Sequence, residues 1–112
     1  MNKLLLLSAV AVANPDGFTV DVENLEPIKS GYAVAVSATQ NSFGENGLKS
    51  VINYAKDHKE INAFGGWLNS ENNMYYFDAV VIFKDIEKAR KFAKLNNQIA
   101  FFDLNKLEEI RL

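Results

Sequence analysis

The chain has 112 residues, of which 48% are hydrophobic, with no cysteine, one histidine and a net charge of −2. That length fits a single domain spanning 1–112, and the missing thiols exclude disulfides, thiolate nucleophiles and cysteine metal sites. One histidine does not make a histidine-rich metal centre, and a mildly acidic chain without a basic stripe is a poor fit to a phosphate-backbone binder.

Met1-Asn2-Lys3 leads into the apolar run Leu4 to Ala13, which closes on Ala11-Val12-Ala13. This has the layout of a miniature signal peptide with an A-x-A site, but it stops short of the usual length of about 15–30 residues. It is also too short for a transmembrane helix, so the run is expected to be a buried β-strand. Asn14-Pro15-Asp16-Gly17 is a turn signal, and Phe18 to Val22 then alternates like a strand. Together these predict an N-terminal β-hairpin. Pro27 and Gly31 break the chain before the next element.

Tyr32 to Ser37 reads as a strand and Thr39 to Gly44 as a polar loop. Leu48, Val51, Ile52 and Ala55 recur at helical spacing, with Lys49, Asn53 and Lys56 on the opposite side, and the helix should end near His58. Ile61 to Leu68 is a strand in which Gly65-Gly66 suggests a bulge. Asn69 to Asn73 is a hairpin loop. Met74 to Phe83 is the clearest strand, dense in aromatic and β-branched residues. Asp85 suits the N-cap of a second helix carrying Ile86, Ala89, Phe92 and Ala93. Gln98 to Leu104 is a strand, and Leu107 to Leu112 adds a short C-terminal one.

From about 31 to 104 the order is β-α-β-β-α-β, so the expected class is α+β with a ferredoxin-like core. Right-handed crossovers place both helices on one face of an antiparallel sheet. No iron–sulfur cluster or other cofactor is implied, since the thiolate ligands are missing. In this plan the ends of the first and second strands share an edge. The loop from Thr39 and the hairpin tip should then meet at a polar corner near a helix N-terminus. Gln40, Asn41, Ser42, Gly44, Asn69 and Asn72 are candidate ligand-binding residues there, for an anionic or nucleotide-like molecule. Ordinary turn chemistry accounts for the same residue types.

The strand Met74 to Phe83 hardly alternates. Tyr75, Phe77, Ala79, Val81 and Phe83 line one face, and Tyr76, Asp78, Val80 and Ile82 the other. Two helices cover one side only, so the N-terminal hairpin or a second copy of the chain should shield the other, which makes a homodimer the expected assembly. Trp67, Tyr75 and Tyr76 form a candidate partner-binding cluster, as a hot spot or as a base-stacking platform. Cross-strand packing is their plainer use. His58 reads as a helix-end residue and no motif supplies it with a catalytic partner. Asp78 and Asp103 are candidate paired carboxylates only if the fold brings them together; a rim position and a turn cap are the simpler readings.

Taken together, Gly31 to Val36, Gly65-Gly66-Trp67, Tyr75 to Val80, Asp85 with Ala89 and Ala93, Gln98 to Leu104 and Glu108 to Ile110 resemble small uncharacterised proteins encoded by bacteriophages and other bacterial mobile elements. The resemblance covers most of the chain after Phe18 and leaves out Leu4 to Ala13. It implies an accessory protein in the cytoplasm of a bacterial host, acting on a host or virion protein, and it implies no catalytic residues. The functional expectation is therefore a non-enzymatic protein-binding role, in counter-defence or in the virion. A small-ligand binder is the alternative, and a single-stranded nucleic-acid binder a weaker one.

Overall fold

A computed structural model describes residues 2–112. The fold is mixed α+β. Its helices are α1 (Lys3–Ala13), α2 (Gly44–Asp57) and α3 (Ile86–Leu95); its strands are β1 (Phe18–Asp21), β2 (Tyr32–Ala35), β3 (Ser42–Phe43), β4 (Ala63–Asn69), β5 (Met74–Phe83), β6 (Ala100–Asp103) and β7 (Glu108–Arg111). The strands pair antiparallel, in the order β1-β4-β5-β2-β6-β7, and β3 pairs with β5 beyond the end of β2. The C-terminal strand and the Asp85 cap, whose carboxylate accepts from Glu87 N–H at 2.8 Å, stand where the sequence places them.

The N-terminal segment corrects the expected hairpin. Leu4 to Ala13 is helical, not a strand. A contiguous apolar run carries no periodicity to decide between helix and strand, and Leu and Ala are strong helix formers. Asn2 caps the helix by accepting Leu4 N–H at 2.8 Å, and the Asn14-Pro15-Asp16-Gly17 turn ends it. Leu7 and Ala11 are buried, with Leu4 and Val10 beside them, while Leu5 and Val12 face outward. Met1, at the head of the signal-like stretch, lies outside the described residues. With a helix rather than a strand before it, β1 pairs with β4, from Phe18↔Gly66 to Asp21↔Ala63.

The pleat assigns the two faces of the sheet. Phe77, Ala79 and Val81 of β5 join Leu7 and Ala11 of α1 and Leu48, Val51 and Ile52 of α2 in the main core. Val34, opposite Val81, packs with Ala89 and Ala93 of α3 and with Phe101. The helices α1, α2 and α3 therefore lie on one face, because successive strand residues point to opposite sides. The other face carries Ala33, Ala63 and Val80, covered by Ile28 and Leu104. Ile28 N–H donates to Thr19 O at 3.0 Å, and Pro27 bridges to Val20, so the connection after β1 first lines the edge of that strand. This connection and the turn after β6, rather than an N-terminal hairpin, close that part of the face.

Two further expectations change. Gly65-Gly66 is no bulge: the register runs unbroken from Ala63↔Val80 to Asn69↔Met74. Gly66 is needed because aromatic rings cross it; a Cβ there would lie 2.7 Å from Tyr75 Cε1. The loop from Thr39 to Gly44 is largely structured. A 3-10 turn spans Ser37–Thr39, and the two-residue β3 follows. Thr39, buried, accepts Ala79 N–H on its Oγ1 at 3.1 Å, while Val36 N–H donates to Ala79 O at 3.1 Å. One side chain thus completes the ladder where the chain leaves β5 between β2 and β3.

Candidate functional site

Beyond Ile28 and Leu104 the helix-free face is bare, and there it carries a row of aromatic rings. The register sets Trp67 of β4, Tyr76 of β5 and Phe43 of β3 side by side. Trp67 stacks on Tyr76 with centroids 5.0 Å apart and planes 19° apart; Phe43 meets the other side of Tyr76 at 5.4 Å and 49°. Trp67 and Phe43, the outer members of the row, remain 45% and 46% exposed. Asn72 Nδ2 donates to Tyr76 Oη at 2.8 Å and steadies the middle ring. Apolar rings in water are unfavourable unless a partner covers them, and aromatic residues are enriched where partners dock.

One row further along β5 on this face stands Asp78, opposite Gly65. No hydrogen bond or ion pair reaches its carboxylate among the described residues, and its oxygens keep contact with solvent. Burial pushes the carboxyl from its ordinary 3.8 up to about 6, because the charged form loses hydration without gaining a partner. Gly65 leaves a gap beside it. A Cβ at Gly17 would lie 3.8 Å from Trp67 Cβ, so the position flanking Trp67 away from Tyr76 also lacks a side chain. Thr19 of β1, opposite Gly65, shares this face with Trp67 and Asp78.

The expected trio of aromatics is split. Trp67 and Tyr76 share the open face, but Tyr75 lies on the helix face, as adjacent strand residues must. Tyr75 packs on Phe18 and Phe77 at 6.1 and 5.2 Å and donates its hydroxyl to Asn14 O at 2.7 Å; burial holds its phenol above the ordinary value. Phe43 takes its place in the cluster. The sequence offered no sign of this, since β3 has only two residues and sits within polar surroundings.

The residues of the polar corner flank the row on both sides of β5. Ser42 pairs with Phe77, Gln40 and the positive-φ Asn41 are exposed, and Gly44 opens α2 at φ 66°. Across β5, Asn69 Oδ1 accepts Glu71 N–H at 2.9 Å and Asn72 Oδ1 accepts Met74 N–H at 3.0 Å, so both amides hold the hairpin turn. Among the described residues no side-chain hydrogen bond joins the two loops. The first turn of α2 also carries Glu45, whose charge opposes an anion there.

The remaining candidates settle into structural roles. His58 is the C-cap of α2, with Nδ1 2.9 Å from Tyr54 O and its ring stacked on Tyr54 at 3.7 Å. Asp103 accepts Asn105 N–H and Lys106 N–H at 2.9 and 3.2 Å, the work of a turn cap. It lies beside Tyr32, which pairs with Phe83, about 16 Å along the sheet from Asp78 and on the opposite face, so the two carboxylates form no pair. Among the described residues no group of three or more His, Asp or Glu side chains is placed to hold a metal, and no helix is long and apolar enough to cross a membrane. Two shallow cavities lie between α1 and α2, around Lys3, Ile52 and Lys56, and neither includes the aromatic row.

No protein-family model, no curated protein and no solved structure matches this chain.

Proposed function

We propose that this chain is a non-enzymatic binding protein that docks a protein partner on the bare half of its helix-free sheet face. The observation that carries this reading is the aromatic row Trp67–Tyr76–Phe43, solvent-exposed at both ends and built on three adjacent strands. Rings held by sheet register lose little further side-chain entropy on binding, which favours them as anchors. We read the central strands β4-β5-β2-β6, with α2 and α3 between them in sequence, as a ferredoxin-like core flanked by the added edges β1 and β7. The strand order and the single helix-bearing face support that reading. The accessory role in a bacteriophage or mobile element rests on the sequence resemblance and on small size.

Single-stranded nucleic acid fits the face less well. Binding of that kind couples stacking rings to a positively charged groove. Here the next row holds an unpaired carboxylate instead.

The test is capture from bacterial host extract by the wild-type chain and by Trp67→Ser and Phe43→Ser variants, each shown by circular dichroism to be folded. A partner retained by the wild type and lost from both variants supports the reading. Capture unaffected by either substitution, or turnover of a nucleotide or peptide by the purified protein, refutes it. Sedimentation of the same three proteins reads the alternative occupant, a second copy docked through the same row.

A further inference from the structure

The strand order ends in two unlike edges. At β1 the chain covers its own strand: Ile28 N–H donates to Thr19 O at 3.0 Å and Asp21 N–H to Glu26 O at 2.9 Å. At the other end β7 is paired with β6 alone. Leu112 N–H donates to Ile99 O at 3.0 Å, in register with Ala100↔Arg111, so Leu112 and Ile99 form a hydrogen-bonded pair. Hydrogen-bonded and non-hydrogen-bonded pairs alternate along an antiparallel ladder. Ile110 and Glu108 therefore also turn their backbone groups toward β6, whereas Glu109 and Arg111 turn theirs outward. Among the described residues no other segment hydrogen-bonds to those outward N–H and C=O groups. The side chains of Glu109 and Arg111 stand on the helix-free face, 3.5 Å apart as an ion pair and both well exposed. Ile110 lies on the helix-bearing face, packed against the cluster of Val34 and Phe101.

We propose that β7 pairs antiparallel with β7 of a second copy of this chain, across a two-fold axis normal to the sheet, with Ile110 opposite Ile110 and Glu109 opposite Arg111. This edge is separate from the aromatic row, and the pairing does not depend on a partner docking there. An antiparallel register forms only where outward backbone groups meet outward groups. Within the strand three registers do so: Glu109 against Glu109, Arg111 against Arg111, or each against the other. The first two set like charges directly opposite, which destabilises a cross-strand pair. The third sets opposite charges there twice, once on each side of the axis. It also forms four backbone hydrogen bonds, two between Glu109 of one copy and Arg111 of the other, and two more by symmetry. Charged side chains commonly guard a bare edge against pairing. Here their order, an acid and a base one residue apart, rejects the other registers and admits this one. Ile110 meets its counterpart in the central non-hydrogen-bonded pair, where opposing side chains approach closest. Four residues of edge bury less than the roughly 1,200–2,000 Å² of a standard interface, so the association is weak and concentration-dependent.

The experiment is sedimentation velocity of the purified chain over a concentration series reaching about 1 mM, where a weak dimer is populated. Glu109→Arg and Arg111→Glu should each weaken self-association about tenfold or more, because each turns both cross-strand pairs into like-charge pairs. Mixed in equal amounts, the two variants should associate at least as well as the wild type, since every arginine of one then faces a glutamate of the other. Both side chains are exposed, and circular dichroism verifies that each variant is folded. Cysteine substitution reads the register, since the chain has no cysteine of its own. Residues opposite one another in a non-hydrogen-bonded pair lie within disulfide reach, so mild oxidation should link Ile110→Cys to itself far more than Glu109→Cys or Arg111→Cys. A monomer at every concentration, single variants that associate like the wild type, or a mixture that stays monomeric overturns the proposal, as does crosslinking strongest at position 109 or 111. A dimer lost in Trp67→Ser but untouched by the charge reversals assigns the second copy to the aromatic row and refutes the edge pairing.

Discussion

Replacing Asp78 by asparagine should stabilise the fold, and by an amount that depends on pH. The native carboxyl titrates at about 6 against an ordinary 3.8, because burial disfavours the anion. That difference corresponds to about 3 kcal/mol, an upper figure for what ionised Asp78 costs the folded state. The sign follows from linkage: the folded protein holds this proton more tightly than the unfolded chain does. Below about pH 4 both states are protonated and Asp78 costs nothing. Between about pH 4 and 6 the penalty grows, and above about pH 6 to 7 it is complete. The amide of the variant has no such titration. The stability of Asp78→Asn minus that of wild type, from urea denaturation in steps from about pH 4 to 8, should rise by about 2–3 kcal/mol across that interval and then level off, with unchanged m-values. A difference that stays flat with pH refutes the reasoning, because Asp78 would then titrate alike in the folded and unfolded chain.

Three other substitutions test the surrounding architecture. Thr39→Val keeps the shape of the side chain but orphans Ala79 N–H in a buried ladder, and should cost about 1–3 kcal/mol by chemical denaturation. Gly47→Ala should destabilise α2 against β3 by about 1–3 kcal/mol, since a Cβ there would lie 2.5 Å from the carbonyl carbon of Ser42; a gain in melting temperature, the usual result of Gly→Ala in a helix, would show that the packing gives way. Asn2→Ala removes the cap of α1 and should cost about 1 kcal/mol, read as a lower denaturation midpoint, whereas a strand at Leu4 to Ala13 would leave the midpoint unmoved.

The parts of the fold legible in sequence were those with a long, unambiguous period. Met74 to Phe83 forms β5 at the predicted bounds, and the Asp85 cap with Ile86, Ala89, Phe92 and Ala93 forms α3. Leu4 to Ala13 failed for the converse reason: an unbroken apolar run matches a buried strand and a helix equally well, and only propensity and the Asn2 cap favour the helix. β2 ends at Ala35, earlier than its apolar pattern suggests, because Thr39 substitutes a hydroxyl for the strand's own backbone on β5. The candidate site was half visible. Trp67 and Tyr76 stood out as aromatics across a hairpin, and Asp78 as a lone carboxylate in an apolar strand. Their grouping with Tyr75 ignored the pleat, which sends neighbours to opposite faces. Phe43 and the flanking Gly17 and Gly65 gain meaning only from the register that brings four distant stretches of chain together.

The proposed docking face is tested most directly by site-specific photo-crosslinking in bacterial cell extract, with a benzophenone side chain placed in turn at positions 43, 67 and 95. Leu95 on α3 is the control, being 79% exposed and on the helix-bearing side. The account predicts one common adduct from positions 43 and 67 and none from 95. An adduct from position 95 alone, or none from 43 and 67, would contradict it.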